Sequence, residues 1–234
     1  MIDPPKLNEI EMLPPGSNIS IDPGNIGSGW VIWAPDPDTH ELIIRSHGKD
    51  RNQEIRKAIA RWNKSGTTRE CSLQIETPRP RGQLMSSEEM ETLIQIGRIL
   101  QMWPGEWSYI FRSDVKVLLC GATNAKDKNV SQAIKDRFGG ETVAVGGKKC
   151  PKCKGKGWFG PGRPKCPECD GSKWEYPPGP LAGVASHVWA ALAVALWWND
   201  TGDKPCHNIT GQQKLDKQKA KWAKKAKTSK GVPT

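Results

Sequence analysis

From Asn18 to Trp33 the chain reads NISIDPGNIGSGWVIW, apolar residues broken by a Pro-Gly turn directly after Asp22. This is the pattern of a strand, a turn and a returning strand. With Glu41–Arg45 it predicts antiparallel strands around the polar loop Pro35–His40. In Asn52–Lys64, Ile55, Ala58, Ile59 and Trp62 fall on one helical face. Cys71–Ile75 reads as a short strand running into Glu76, followed by the basic loop Thr77–Leu84. Ser86 or Ser87 can cap a helix with acids in its first turn and an apolar face of Met90, Leu93, Ile94, Gly97 and Leu100. Trp107–Phe111 predicts a strand, Asp114–Leu119 a helical turn and Val130–Phe138 a short helix. A thoroughly apolar helix is expected from about Ser186 to Trp198. Helices alternating with strands after an opening hairpin indicate an α/β domain.

Composition changes this picture at the end of the chain. The formal net charge is +10, and from Lys214 to Lys230 eight lysines face one acid. Such a stretch is too charged to pack and suits a polyanion, with nucleic acid the default partner. No apolar run reaches the length of a membrane span, and the first residues lack the pattern of a signal peptide. Four of the seven cysteines sit in two Cys-x-x-Cys pairs, which favours a cytosolic zinc protein over a disulfide framework. The expected location is therefore cytoplasmic, with no membrane partner.

Three ionisable residues stand at the ends of apolar elements: Asp22, Glu76 and His187. A carboxylate among Ile19, Ile21 and Ile26 is costly unless it is paired or holds a cation. Converging carboxylates could hold one or two Mg²⁺ ions, which prefer oxygen ligands, and could hydrolyse a phosphodiester. Each has a plainer explanation. Asp22 could belong to an ordinary hairpin, Glu76 could pair with Arg79 or Arg81, and His187 could be a helix-start residue with a satisfied ring. Gly24, Gly27 and Gly29 suggest backbone kept clear for a bulky anionic partner.

Four segments together resemble one family. SIDPGNIGSGWVIW resembles the first-strand motif of RuvC-type Holliday junction resolvases, within the RNase H-like superfamily. LQIETPRPRGQ followed by METLIQIGRIL is similar to the second acidic motif and its helix. DVKVLLCGATNAKDKNVSQAIKDRFGG resembles the Val-Lys…Gly…Lys…Val segment, and ASHVWAALAVALWW the closing helix. The resemblance implies a mixed five-stranded sheet flanked by helices and a dimeric, Mg²⁺- or Mn²⁺-dependent endonuclease acting on branched DNA. It makes Asp22, Glu76 and His187 the catalytic metal ligands. The size and the cysteine insertion look more like bacteriophage versions, placing the protein in a bacterial or phage-infected cell. One departure matters: Ala190 stands where the family often has a second acid in this helix. Asp200 lies about 20 Å further along such a helix, so three ligands are expected, with Asp127 a better substitute than Asp114. Pairing of two copies is expected through the Ser87–Met102 helix. Arg79, Arg81, Lys126 and Lys128 would grip phosphates near the cut, and the tail lysines would add salt-dependent affinity.

Cys150, Cys153, Cys166 and Cys169 have the spacing of a structural Cys₄ zinc site with no open coordination position. The segment resembles the knuckles of DnaJ-type cysteine-rich domains. Its basic residues, Lys154 and Lys156 among them, alternate with Trp158, Phe159 and Trp174, which suits nucleic acid or an internal minicore. The expected layout is a nuclease core at 1–147 and 176–200, a zinc insertion at 148–175 and a basic tail at 201–234. Two rivals remain: a non-catalytic junction-binding protein on the same scaffold, and a zinc-dependent co-chaperone or assembly factor.

Overall fold

The computed structural model describes residues 6–79, 84–156, 158, 164–169, 171–172 and 174–202. Arg81, Phe159, the basic tail from 203 and Cys206 lie outside the described residues. The opening pattern resolves into three strands: β1 (Asn18–Asp22), β2 (Gly27–Pro35) and β3 (Leu42–Arg51). The hairpin turn falls at residues 23–26, so the stretch to Trp33 is two strands, and β3 runs six residues past the expected Arg45. Its pattern of buried and half-exposed positions is irregular, which hid its length from a period-two reading. Helix α1 (Asn52–Ser65) follows directly and ends on Gly66 in the left-handed conformation.

Next come β4 (Ser72–Thr77), α2 (Ser87–Met102) and β5 (Trp107–Phe111). Ser86 caps α2, accepting from the Glu89 backbone N–H, while the Glu89 carboxylate accepts from the Ser86 N–H. Then follow α3 (Arg112–Cys120), α4 (Asp127–Arg137), the short α5 (Glu141–Ala144) and, after the cysteine segment, α6 (His187–Thr201). The sheet order is β3-β2-β1-β4-β5. The first three strands are antiparallel neighbours, whereas β4 runs parallel to β1 and β5 parallel to β4. The result is a mixed five-stranded sheet flanked by helices.

Alternation along the strands divides the two faces. Ile19, Ile21, Trp30, Ile32, Leu73 and Ile75 pack with α1 and α2 through Ile55, Ile59, Trp62, Ile96 and Ile99. The opposite face carries Ser20, Asp22, Gln74 and Glu76, and α6 lies across it against β1, β2 and β4. A short polar layer runs beneath α6: Ser20 Oγ donates to Gln74 Oε1 at 3.0 Å and accepts from Trp33 Nε1 at 2.9 Å. α6 is buried from Ala191 to Trp197, as its all-round apolar sequence requires. No helix among the described residues is long and apolar enough to cross a membrane.

On α2 the core side is Gln95, Ile96 and Ile99. Met90, Leu93 and Ile94 are exposed, and Gly97 faces open space.

Candidate active site and metal centre

β1 and β4 are in parallel register, with Ile21 beside Ile75, so Asp22 and Glu76 stand side by side one residue further on. Both are 7% exposed. The turn after Asp22 is tied down by Asn52, whose side-chain amide donates to the carbonyls of Gly24 and Asn25. Asn52 Oδ1 accepts from Ser28 Oγ at 2.6 Å, and Ser28 Oγ accepts from the Gly24 N–H. Asn52 thus fixes the carboxylate-bearing corner, a role invisible in a residue that reads only as a helix start.

His187, the first residue of α6, reaches Asp22 across 165 positions of sequence, with Nδ1 2.8 Å from Asp22 Oδ2. Gly29 makes this approach feasible. It is the cross-strand partner of Asp22, and a Cβ there would lie 2.4 Å from the backbone carbon and oxygen of His187. At Gly27 a Cβ would meet the Asp50 carbonyl at 2.9 Å, and at Gly24 the Gly27 carbonyl at 2.5 Å. The glycines therefore clear room for the protein's own backbone, not for an anionic partner. Ser186, just before α6, has φ 50° and ψ −128°, a strained conformation for a residue with a side chain.

An open cleft of about 560 Å³ contains Asp22, Glu76 and His187. Asp127, Arg112, Lys116 and Lys128 also line it, with Val115, Trp189 and Ala190 among its apolar walls. Ala190 therefore faces the cleft where the family resemblance leads one to expect an acid. Of the two substitutes, Asp127 lines the cleft. Asp114 instead takes a forked bond from Arg79 at 2.8 and 3.0 Å, and the Arg79 guanidinium lies 4.6 Å from the centre of the Phe111 ring. Asp200 pairs with Arg137. Lys126 is exposed at the start of α4, and Lys128 is on the cleft wall.

Arg112 escaped the sequence reading. Its Nη1 donates to Glu76 Oε1 and its Nη2 to Asp127 Oδ1, each at 2.8 Å, and Lys116 Nζ is 3.4 Å from the same Asp127 oxygen. The signal that would have found it is positional and needs the strand order: Ile110 of β5 lies opposite Glu76 of β4, and Arg112, two residues on, reaches back to that carboxylate. Burial, and then the charge of Asp22, push the Glu76 carboxyl up to about 7, with Arg112 opposing them. Burial works against ionisation of Asp127, but Arg112 and Lys116 outweigh it and hold that carboxyl below its ordinary value.

The Glu76 shift sets two pH trends. Below about 7 Glu76 keeps its proton, so affinity for a divalent cation should rise from pH 6 to pH 8 and then level, measurable by calorimetry. The folded carboxyl titrates above its unfolded value of 4.5, so the folded state holds the extra proton in between. This group's contribution to stability therefore falls as pH rises from about 4.5 to about 7. Melting in chelator at pH 5 and 7.5 should show that loss, and Glu76→Gln should flatten it.

The donor set fits a hard divalent ion: two buried carboxylates, an imidazole and a nearby exposed acid. A cation already lies against it, since Glu76 and Asp127 hold a guanidinium between them. Among the described residues, however, only the four cysteines form a tight cluster ready to hold a metal as they stand.

Those cysteines form a separate centre. Their sulfurs lie within 4.8 Å of one another, with Cys150 and Cys166 at 3.8 Å and Cys153 and Cys169 at 3.7 Å. These separations are far too long for disulfides. They match the edge of a tetrahedron with metal–sulfur bonds of about 2.3 Å, which is about 3.8 Å. Strands β6 (Lys148–Lys149) and β7 (Trp174–Tyr176) pair at the base of the insertion. Backbone bonds from Gly179 to Val145 and from Leu181 to Ala144 bring the chain back to where it left. Lys154 and Lys156 are exposed, and Lys156 Nζ lies 5.3 Å from the centre of the Trp158 ring.

No protein-family profile matches the sequence, and neither does any curated protein. Among solved structures, RuvC of Thermus thermophilus is 14% identical, covering 80% of this chain and 96% of that one, with a TM-score of 0.48. The same organism's RuvC in complex with Holliday junction substrate is 15% identical over 77% and 91% of the two chains, with a TM-score of 0.43. A Fowlpox virus resolvase in complex with substrate Holliday junction DNA is 10% identical over 53% and 85%, with a TM-score of 0.29. Likeness at this level is one of outline, and what the cleft does must follow from its own residues.

Proposed function

We propose that this protein is a divalent-metal-dependent endonuclease that nicks branched DNA, such as a Holliday junction, by phosphodiester hydrolysis. The observation that carries this is the placement of Asp22 and Glu76, buried side by side at strand ends beneath His187, in a cleft edged by cations. Asp22, Glu76 and His187 would hold Mg²⁺ or Mn²⁺, with Asp127 the available fourth donor. The ion would stabilise charge on the phosphoryl oxygens and make a water more acidic. With Nδ1 committed to Asp22, the Nε2 nitrogen is the one His187 has to offer a ligand or a proton. Lys116 and Lys128 present charge to a phosphate at the cleft wall, and the Val115, Trp189 and Ala190 wall limits water on one side.

The exposed Met90, Leu93, Ile94 and Gly97 strip of α2 supports pairing of two copies, which would present two sites for opposed nicks. The four cysteines would hold a structural Zn²⁺, closed to water. Elemental analysis should find one zinc per chain, and Cys166→Ser should lower zinc content by more than half. Chelation should change the fluorescence of Trp158 and Trp174 without melting the sheet. Arg79, Arg81, Lys126, Lys154, Lys156 and the tail remain candidate backbone contacts, with Arg79 needing to leave Asp114 to serve.

The test is incubation with a synthetic four-way junction and a matching linear duplex, in Mg²⁺, Mn²⁺ or chelator. Paired nicks in the junction alone, lost in chelator, are the expected result. One observation favours a non-catalytic junction binder: Ala190 leaves the cleft an acid short of the family pattern. Tight junction binding without nicks in either metal would establish that reading instead.

A further inference from the structure

We propose that Arg112 is a built-in competitor for the metal site, a cation that a divalent ion must displace from Glu76 and that sets the ion concentration at which the site loads. This rests on the reading of the cleft as a metal site and concerns how that site is filled. Arg112 is the first residue of α3, immediately after β5, and its fork spans two acids of unlike character. The Glu76 side chain is 8% exposed, while that of Asp127 is 72% exposed. One arm of the guanidinium is thus anchored on a buried candidate ligand and the other at the solvent edge.

A guanidinium cannot yield by losing its proton, so it vacates Glu76 only by moving. The arrangement allows that movement. Arg112 can keep its bond to exposed Asp127 while releasing Glu76, and Lys116 already shares the Asp127 oxygen that Arg112 holds. A guanidinium left on Glu76 would face a doubly charged ion a few ångströms away, across a partly buried site where water screens weakly. Bond competition and like-charge repulsion therefore act in the same direction. The carboxylates are kept from facing each other uncompensated, and ion binding carries the cost of turning Arg112 out.

The rival role is purely positional, with Arg112 remaining on Glu76 and orienting its free oxygen toward the ion. The two roles predict opposite signs. Mg²⁺ binding to the full-length protein is measured by calorimetry from pH 7 to 9, and the tightest value for each variant is compared. If Arg112 competes, Arg112→Gln binds Mg²⁺ about tenfold or more tightly than wild type, the size expected when one nearby charge is removed. Arg112→Lys, which keeps the charge and loses the fork, falls between the two and serves if the glutamine variant is unstable. Unchanged or weakened binding in both variants overturns the proposal. A crystal structure with Mg²⁺ bound provides a second readout: Arg112 should have left Glu76, and a retained bond beside a bound ion overturns it too. Asp22→Asn is the control for the site itself. If wild type shows no Mg²⁺ binding that Asp22→Asn removes, the metal-site reading fails and this inference fails with it.

Discussion

Asp22→Asn should lower junction cleavage by at least about a thousandfold, while junction affinity stays within about threefold of wild type. The substitution keeps the shape of the side chain but removes the charge that a divalent ion needs from this corner. Binding should survive if, as proposed above, phosphate contacts come from cationic side chains at the cleft edge and beyond. Stability should move the other way. The Asp22 charge is the second cause, after burial, of the upward shift in the Glu76 carboxyl, so its removal relieves repulsion between two buried acids. In chelator the variant should melt at a higher temperature than wild type, an inactive protein more stable than its active parent. Single-turnover cleavage, a gel-shift titration and a melting curve separate these effects. Residual cleavage within tenfold of wild type would remove Asp22 from the chemistry.

Gly29→Ala should damage the fold and the cleft together. The added carbon would lie 2.4 Å from the His187 backbone and 2.7 Å from the Val188 nitrogen, contacts that no rotamer can relieve. Either β2 or the start of α6 must move. Overpacking of this kind costs about 3 kcal/mol, since it presses on backbone and not on a flexible side chain. For a chain of this size that is a fall in Tm of roughly 6–12 °C. Because α6 carries His187, the displacement also pulls the imidazole from Asp22, and cleavage should drop about a hundredfold or more even well below the melting temperature. Ala at Gly97, where nothing lies within 4 Å, is the control and should leave stability unchanged or slightly raised. Equal melting temperatures for Gly29→Ala and wild type would refute the packing account.

Much of the scaffold was legible because its elements carry strong local signals. A serine cap, open between Ser86 and Ser87, and an acid-rich first turn placed the start of α2, and the apolar stripe of α1 set its span to within one position. From the residues alone Asp22 and Glu76 were two acids ending apolar runs, and the family resemblance supplied the expectation that they converge, since their neighbourhood depends on β1 and β4 lying in register. Arg112 and Asn52 were not legible at all. Each acts through a contact set by strand order or by a turn distant in sequence, and neither breaks a local pattern. Gly29 was noticed for the right reason, a need for space, with the wrong occupant. The exposed side of α2 shows the limit of periodicity: Met90, Leu93 and Ile94 are as apolar as Ile96 and Ile99, and only the sheet decides which set is covered.

The bond between His187 and Asp22 joins a residue near the start of the chain to one 165 positions later, on a helix that follows the cysteine insertion. During synthesis, the sheet strands that carry Asp22 and Glu76 leave the ribosome well before α6 does. The nascent protein therefore holds both acids without the helix that covers them and supplies the imidazole. If the cleft is the nuclease site proposed above, a chain wired in this order completes that site only when α6 arrives, and a product truncated before residue 187 should show no cleavage.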